Sequence, residues 1–235
     1  MPEYVPVGIS GFEKLSDGAP RGLPVLLVGP SGCGKTIFGL QFIAEGLKNG
    51  EPALIINTDY SVEEMSEIFE EFKFGDFNKY KENGLIKFID CYSWRLGPPY
   101  ERKYIMKNPK DVMSLLRLVR TAREELGQKT KIRTFFDSIT SLILHAGFSA
   151  VYRTMVQLKA RAAPFIASIY TLQQGTHPPE VIGAFKHSSR GGVIEFKLVE
   201  EEDALKRLIR IGKWRGKHDS SWHPLKITEH GLVIE

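Results

Sequence analysis

The sequence predicts an α/β fold: a mostly parallel central sheet with helices on both faces and an antiparallel β extension at the C-terminal end. Three observations carry the prediction. Strand-like and helix-like hydrophobic patterns alternate through the first two thirds of the chain, which is the rhythm of successive β-α-β units. A glycine-rich stretch, "GPSGCGKT" (Gly29 to Thr36), joins the first buried strand to the first long helix. After Leu172 the rhythm changes to strands.

The elements follow in order. "LPVLLV" (Leu23 to Val28) reads as a buried strand, Lys35 to Leu47 as a helix, and "ALIIN" (Ala53 to Asn57) as the next strand. Ser61, with Glu64 three residues on, forms a capping box that opens a helix through about Phe72. "GLIKFID" (Gly84 to Asp90) is a strand, and a long aromatic and basic connection, Cys91 to Asn108, follows it. That length suits a partner surface or a solvated insertion. Asn108 and Pro109 are expected as N-cap and first residue of a helix whose apolar positions run from Val112 to Leu126, with Gly127 as its stop. Strand Ile132 to Asp137, helix Ser149 to Ala162 and strand Pro164 to Leu172 come next. "GVIEFKLVE", "LKRLIRIGKW" and "HPLKITEHGLVIE" close the chain, with a hairpin turn at Gly231.

Composition narrows the function classes. With 235 residues, 42% of them hydrophobic, the chain suits one sizeable core, and a single domain over residues 1–235 is expected. The 32 basic and 28 acidic residues leave a charge of +4, less lopsided than a dedicated nucleic-acid binder. Cys33 and Cys91 are the only cysteines, without the spacing of a disulfide framework or zinc site, and the six histidines are scattered. No signal-peptide pattern opens the chain, and no apolar run approaches the ~18 residues of a membrane span. The expectation is a cytoplasmic protein without a membrane partner.

"GPSGCGKT" matches G-x-x-x-x-G-K-[ST]. Glycines 29, 32 and 34 let successive backbone N–H groups turn inward at the positive end of the following helix, forming an anion nest. Gly29, Pro30, Ser31, Gly32, Cys33, Gly34, Lys35 and Thr36 are therefore the expected phosphate-binding residues, with Cys33 a small filler. Lys35 would reach the β- and γ-phosphates, and the Thr36 hydroxyl would ligate Mg²⁺. Asp137, ending the strand "IRTFFD", is placed to orient that Mg²⁺ through water; a helix N-cap at Asp137 or Ser138 is compatible with this role.

With these motifs the chain resembles the RecA superfamily, and more closely its KaiC-like single-domain members. The resemblance spans nearly the whole chain, from "VPVGISGFEKLSDGAPRGLPVLLVGPSGCGKTIFGLQFI" to "IRIGKWRGKHDSSWHPLKITEHGLVI". It implies a RecA-like P-loop NTPase core, ATP as the nucleotide and a homo-oligomer, a ring or filament such as a hexamer, with ATP at subunit interfaces. In such an assembly Lys213 and Arg215 match a Lys-x-Arg pair that reaches the neighbouring subunit's nucleotide. Two cations at period two also suit an exposed strand edge.

The sequence departs from that family just past its second strand. KaiC-like proteins usually end the second strand with two glutamates, which the resemblance would assign to water activation; here Asp59 and Tyr60 stand there. A carboxylate withdrawn by roughly 1 Å can lower a rate about 10²-fold. The expected function is an ATP-binding, Mg²⁺-dependent oligomeric switch with slow hydrolysis, and Asp59 is the candidate base. The alternative is a recombinase-like DNA-binding ATPase using the segment Gln173 to Gly192, with Lys186, His187 and Arg190. Gln173 and Gln174 resemble a γ-phosphate sensor position and suit a surface turn equally.

Overall fold

The computed structural model describes residues 2–98, 102–127, 130–160, 164–201 and 204–235. β1 (Tyr4–Val5) and β2 (Ala19–Pro20) pair as a short antiparallel ribbon. The main sheet begins with β3 (Val25–Gly29), followed by α1 (Lys35–Lys48), β4 (Ala53–Asn57), α2 (Val62–Glu71), α3 (Phe77–Glu82) and β5 (Ile86–Asp90). Next come α4 (Val112–Leu126), β6 (Ile132–Asp137), α5 (Ile139–Ala146), α6 (Phe148–Ala160), β7 (Ile166–Gln173) and α7 (Pro179–Ser188). β8 (Gly192–Glu201), β9 (Ala204–Trp214), β10 (His223–Thr228) and β11 (Gly231–Ile234) complete the chain.

The sheet order is β11-β10-β9-β8-β3-β7-β6-β4-β5. Pairings from β8 through β5 are parallel, and those among β8, β9, β10 and β11 are antiparallel, so the expected mixed architecture is the one observed. Each central strand is buried on both sides, as helices on both faces require. On β4, Ala53 and Ile55 join the core beneath α1, α2 and α3, while Leu54 and Ile56 join the core beneath α4, α5, α6 and α7.

α1 lies against β6 through two glycine notches. A Cβ on Gly39 would fall 1.9 Å from Phe135, and one on Gly46 would fall 2.3 Å from Arg133. Phe135 and Arg133 share one face of β6 and are both fully buried. Arg133 donates to the carbonyls of Pro6 and Phe42 at 2.7 and 2.9 Å and to Glu51 at 2.8 Å, and Glu51 also pairs with the buried Arg21. This closeness sets the head of α1 beside the end of β6.

Several local expectations shift. The cap of α4 is Asp111, which accepts from the Ser114 amide, whereas Asn108 closes a turn onto Lys110. The expected cap at Asn108 is replaced by the residue that adjoins the apolar periodicity. α7, with proline in its first turn, occupies "PEVIGAFKHS", within the stretch after Leu172 where the sequence reading expected strands. α6 starts at Phe148, and the expected end at Ala162 lies outside the described residues.

Candidate nucleotide site

The parallel strands deliver their C-terminal ends to one edge of the sheet. There Gly29 of β3 is level with Gln173 of β7, and Asn57 of β4 with Asp137 of β6. A cavity of about 610 Å³ opens over these ends, bounded by the Ser31 to Thr36 loop, Asp59, Asp137, Ser141 and Gln173. Tyr60, Ile68, Phe72 and Ile227 give it an apolar wall. Open α/β sheets bind ligands at this edge.

The glycine-rich loop has the backbone of an anion nest. Gly32 and Gly34 have φ of 72° and 103°, left-handed values that any side chain would strain. A Cβ on Gly29 would lie 2.7 Å from the Phe196 Cβ, so glycine there permits the loop to run against β8. Gly34 caps α1 without any side-chain hydrogen bond, leaving the first-turn amides facing the loop. Lys35 folds over the loop and donates to the carbonyls of Gly29 (3.0 Å) and Pro30. Cys33 is fully buried, and burial pushes its thiol pKa up, in keeping with a filler.

At the head of α1, the Thr36 Oγ1 donates to Asp137 Oδ2 at 2.6 Å, and the Thr171 hydroxyl holds the other carboxylate oxygen. Burial raises the Asp137 pKa, opposed by these two hydroxyl donors. A hydroxyl and a buried carboxylate side by side at a phosphate nest form a hard-oxygen set that fits nucleotide-bound Mg²⁺. Ser138 follows as the positional cap of α5, but its side chain makes no capping bond.

Asp59 lies just past β4, where Asn57 folds the chain by accepting from the amides of Asp59 (2.9 Å) and Tyr60 (2.6 Å). Its Oδ2 accepts from the Ser138 hydroxyl at 2.8 Å, and its Oδ1 accepts from the Ser141 hydroxyl. The Thr58 hydroxyl, with one proton to give, is nearer the Ser138 carbonyl (2.8 Å) than Asp59 (3.1 Å). Tyr60 is half-buried, and burial together with Asp137 and Asp59 raises its pKa, so it offers no base near neutrality. Glu63 pairs with Arg102 at 2.6 Å, and Glu64 completes the capping box with Ser61. Neither stands in for a second carboxylate.

The comparisons agree with this geometry. A family model described as "ATPase: KaiC" matches residues 5–235. The chain is a KaiC-like member of the RecA superfamily. A UPF0273 protein of Methanopyrus kandleri is 32% identical over 99% of this chain and 92% of its own length. A UPF0273 protein of Pyrococcus horikoshii is 30% identical over 100% of this chain and 94% of its own. The crystal structure of a KaiC-like protein from Pyrococcus horikoshii superposes with a TM-score of 0.81 at 26% identity, over the full length of both chains. Family membership makes this a RecA-like ATPase-type, ATP-binding fold.

Elsewhere in this KaiC-like chain, Lys213 near the end of β9 donates to the Lys186 and His187 carbonyls (3.5 and 3.1 Å) at the end of α7, and Arg215 follows just beyond the strand. The chain brings neither to its own glycine loop. Arg207, which the sequence reading did not select, does reach that loop, donating to the Gly32 carbonyl at 3.2 Å. Thr171, Ser138 and Ser141 were also missed. A hydroxyl near the C-terminal end of the apolar strand "IASIYTL" was the available signal for Thr171; the serines had none, because their partner lies about 80 residues away. Of the basic segment considered for DNA, Lys186 is paired with Glu195 and Phe185 is fully buried. Of the connection Cys91 to Asn108, Arg95 reaches back to the Thr58 carbonyl at 3.1 Å. No helix among the described residues is long and apolar enough to cross a membrane.

Proposed function

We propose that the protein is an Mg·ATP-dependent switch that holds its nucleotide, hydrolyses it slowly, and assembles with copies of itself through the bound ATP. The observation that carries this reading is the contrast between the two halves of the site. The phosphate half is complete: nest, Lys35, Thr36 and Asp137. The water-activating half has one short carboxylate, Asp59, with an acceptor position on each oxygen already engaged by a serine.

In this reading Gly29 to Lys35 cradle the β- and γ-phosphates, and Thr36 and Asp137 hold Mg²⁺, which neutralises phosphate charge. The apolar wall of Tyr60, Ile68, Phe72 and Ile227 gives the base or ribose a surface to pack on. Lys213 and Arg215 act in trans, supplying positive charge to the nucleotide of the next subunit as an arginine finger does. The DNA-binding alternative draws no comparable support, since its lysine is neutralised and its aromatic is buried.

Phosphate release from Mg·ATP, measured beside Lys35→Ala and Asp59→Asn with the molecular mass with and without ATP, tests the reading. A slow release above Lys35→Ala that Asp59→Asn removes, with ATP-dependent growth in mass, supports it. Rapid turnover that survives Asp59→Asn, or a mass indifferent to ATP together with no nucleotide binding, overturns it.

A further inference from the structure

A second cavity, of about 480 Å³, opens between α4 and α6 over the first residues of β6 and β7. Its walls are mainly apolar, with Leu116, Val119, Leu158, Phe165 and Ile166 around Arg123. It lies at the other end of the sheet from the glycine loop, and the two cavities share no lining residue.

Arg123 is the anomaly of this site. Its Nε is shut away from solvent and has no hydrogen-bond partner, and no carboxylate among the described residues forms an ion pair with it. Burial pulls its pKa down to about 10, the sign of a charge without compensation. The one carboxylate lining the cavity among the described residues, Glu124, faces Arg120 at 3.7 Å. A smaller cavity of about 40 Å³ shares Val119, Arg123 and Leu158 and extends to Lys159, whose amine lies over the Tyr170 ring at 4.5 Å and donates to Ser188 at 2.9 Å. Arg123 thus borders two apolar spaces that hold no free carboxylate among their described residues.

Charge complementarity specifies the occupant. A half-buried guanidinium whose Nε is enclosed without a partner or counter-charge is costly, and its planar fork matches a carboxylate in two parallel hydrogen bonds. The surrounding walls bury an apolar body, and the volume falls within the ~300–1,000 Å³ of small-molecule sites. We propose that the α4–α6 cavity binds an amphipathic carboxylate, a carboxyl group on a short alkyl or aryl body, with the carboxylate on Arg123 and the body between Val119, Leu158 and Ile166. This site is separate from the nucleotide site and does not depend on how that site is read.

Decanoate, well below its micellar concentration, is the probe, titrated by calorimetry into the full chain with 1-decanol and decyltrimethylammonium for comparison. The expected result is saturable binding of one decanoate per chain, weaker binding of the alcohol and none of the cation. Arg123→Met, which keeps the apolar stem, is expected to weaken decanoate by tenfold or more while leaving decanol unchanged. Leu158→Trp, which fills the cavity and keeps the charge, is expected to abolish both, and it carries the test alone if Arg123→Met fails to fold. No saturable binding, equal decanoate affinity in Arg123→Met and the parent, undiminished binding to Leu158→Trp, or stoichiometric displacement by Mg·ATP would each overturn the proposal.

Discussion

Gly39→Ala sets two effects of opposite sign against each other. In an exposed helix interior the exchange stabilises by about 1 kcal/mol through helix propensity. At this position the new methyl would sit 1.9 Å from Phe135 Cε2 and 2.1 Å from its Cζ. Ordinary carbon contacts are about 3.5–4.0 Å, so the ring or the helix must give by at least ~1.5 Å. Phe135 is fully buried and has no route to solvent. Overpacking of this kind typically costs about 1–3 kcal/mol, so after the propensity gain the expected net change is a loss of up to about 2 kcal/mol, as α1 lifts from β6. The lift reaches the site because Thr36 heads α1 and Asp137 stands two residues after Phe135, and their contact is 2.6 Å in the parent. Urea unfolding should show a lower midpoint at unchanged slope. Titration with a fluorescent ATP analogue in Mg²⁺ should show affinity weakened by about tenfold, on the scale that small displacements of oriented groups produce. A variant that is more stable by about 1 kcal/mol and binds nucleotide normally would refute the claim that the glycine notch sets the distance between Thr36 and Asp137.

Three further outcomes are expected. Glu51→Gln leaves Arg133 and Arg21 buried without their shared carboxylate, and loss of one partner from a buried ion pair costs about 3–5 kcal/mol. The retained bonds from Arg133 to Pro6 and Phe42 favour the lower end, and a urea-derived loss below about 1 kcal/mol would contradict the assignment. Burial, with a smaller contribution from nearby Lys213, pulls the Lys159 pKa down to about 7. Between pH 7 and the ordinary lysine value near ~10.4 the unfolded chain therefore binds the extra proton, so this group's contribution to stability rises with pH across that window and is lowest below it. Lys159→Met should be more stable than the parent at pH 6, on the order of 2 kcal/mol, with the gap closing towards pH 10 in paired melting curves; a gap independent of pH would refute this. Lys213→Ala should leave ATP binding intact while reducing ATP-dependent growth in mass, and unchanged light scattering would count against a trans role.

The parallel half of the sheet was legible because its strands are continuous apolar runs and its punctuation is chemical. β4 and β6 fall on Ala53–Asn57 and Ile132–Asp137 as read, and the Ser61–Glu64 capping box is present. The glycine loop announced itself for the same reason, since its chemistry is contiguous in sequence. What stayed hidden is long-range. Nothing near Gly39 or Gly46 says that Phe135 and Arg133 will lie against them; both glycines look like weak points in a helix until β6 is seen beneath. The surroundings of Asp59 were invisible likewise, because Ser138 and Ser141 arrive from another strand–helix junction. α7 was obscured by "HPP", whose prolines signal a turn as readily as a first helical turn.

The placement of the two cations bears on what kind of assembly the proposed switch can form. Lys213 pairs with Val193, which pairs with Leu26, so it stands level with the starting end of β3, whereas the glycine loop follows that strand's other end. Three strand residues separate the two levels, roughly 10 Å along the sheet, in addition to the lateral step across β8 and β9. Under the proposed reading each subunit therefore carries acceptor and donor on different surfaces, and a contact that joins one to the other is head-to-tail. Such contacts close into rings or continue as filaments according to the rotation at each step. The amine of Lys213 now rests on the last carbonyls of α7, a favourable seat for a cation at a helix C-terminus. Under the proposed reading, reaching a neighbour's phosphates exchanges that seat for a stronger anion, which a bound nucleotide provides. Assembly that follows ATP occupancy is the consequence, and a ring would reveal itself as one discrete mass, a filament as a mass that grows with protein concentration.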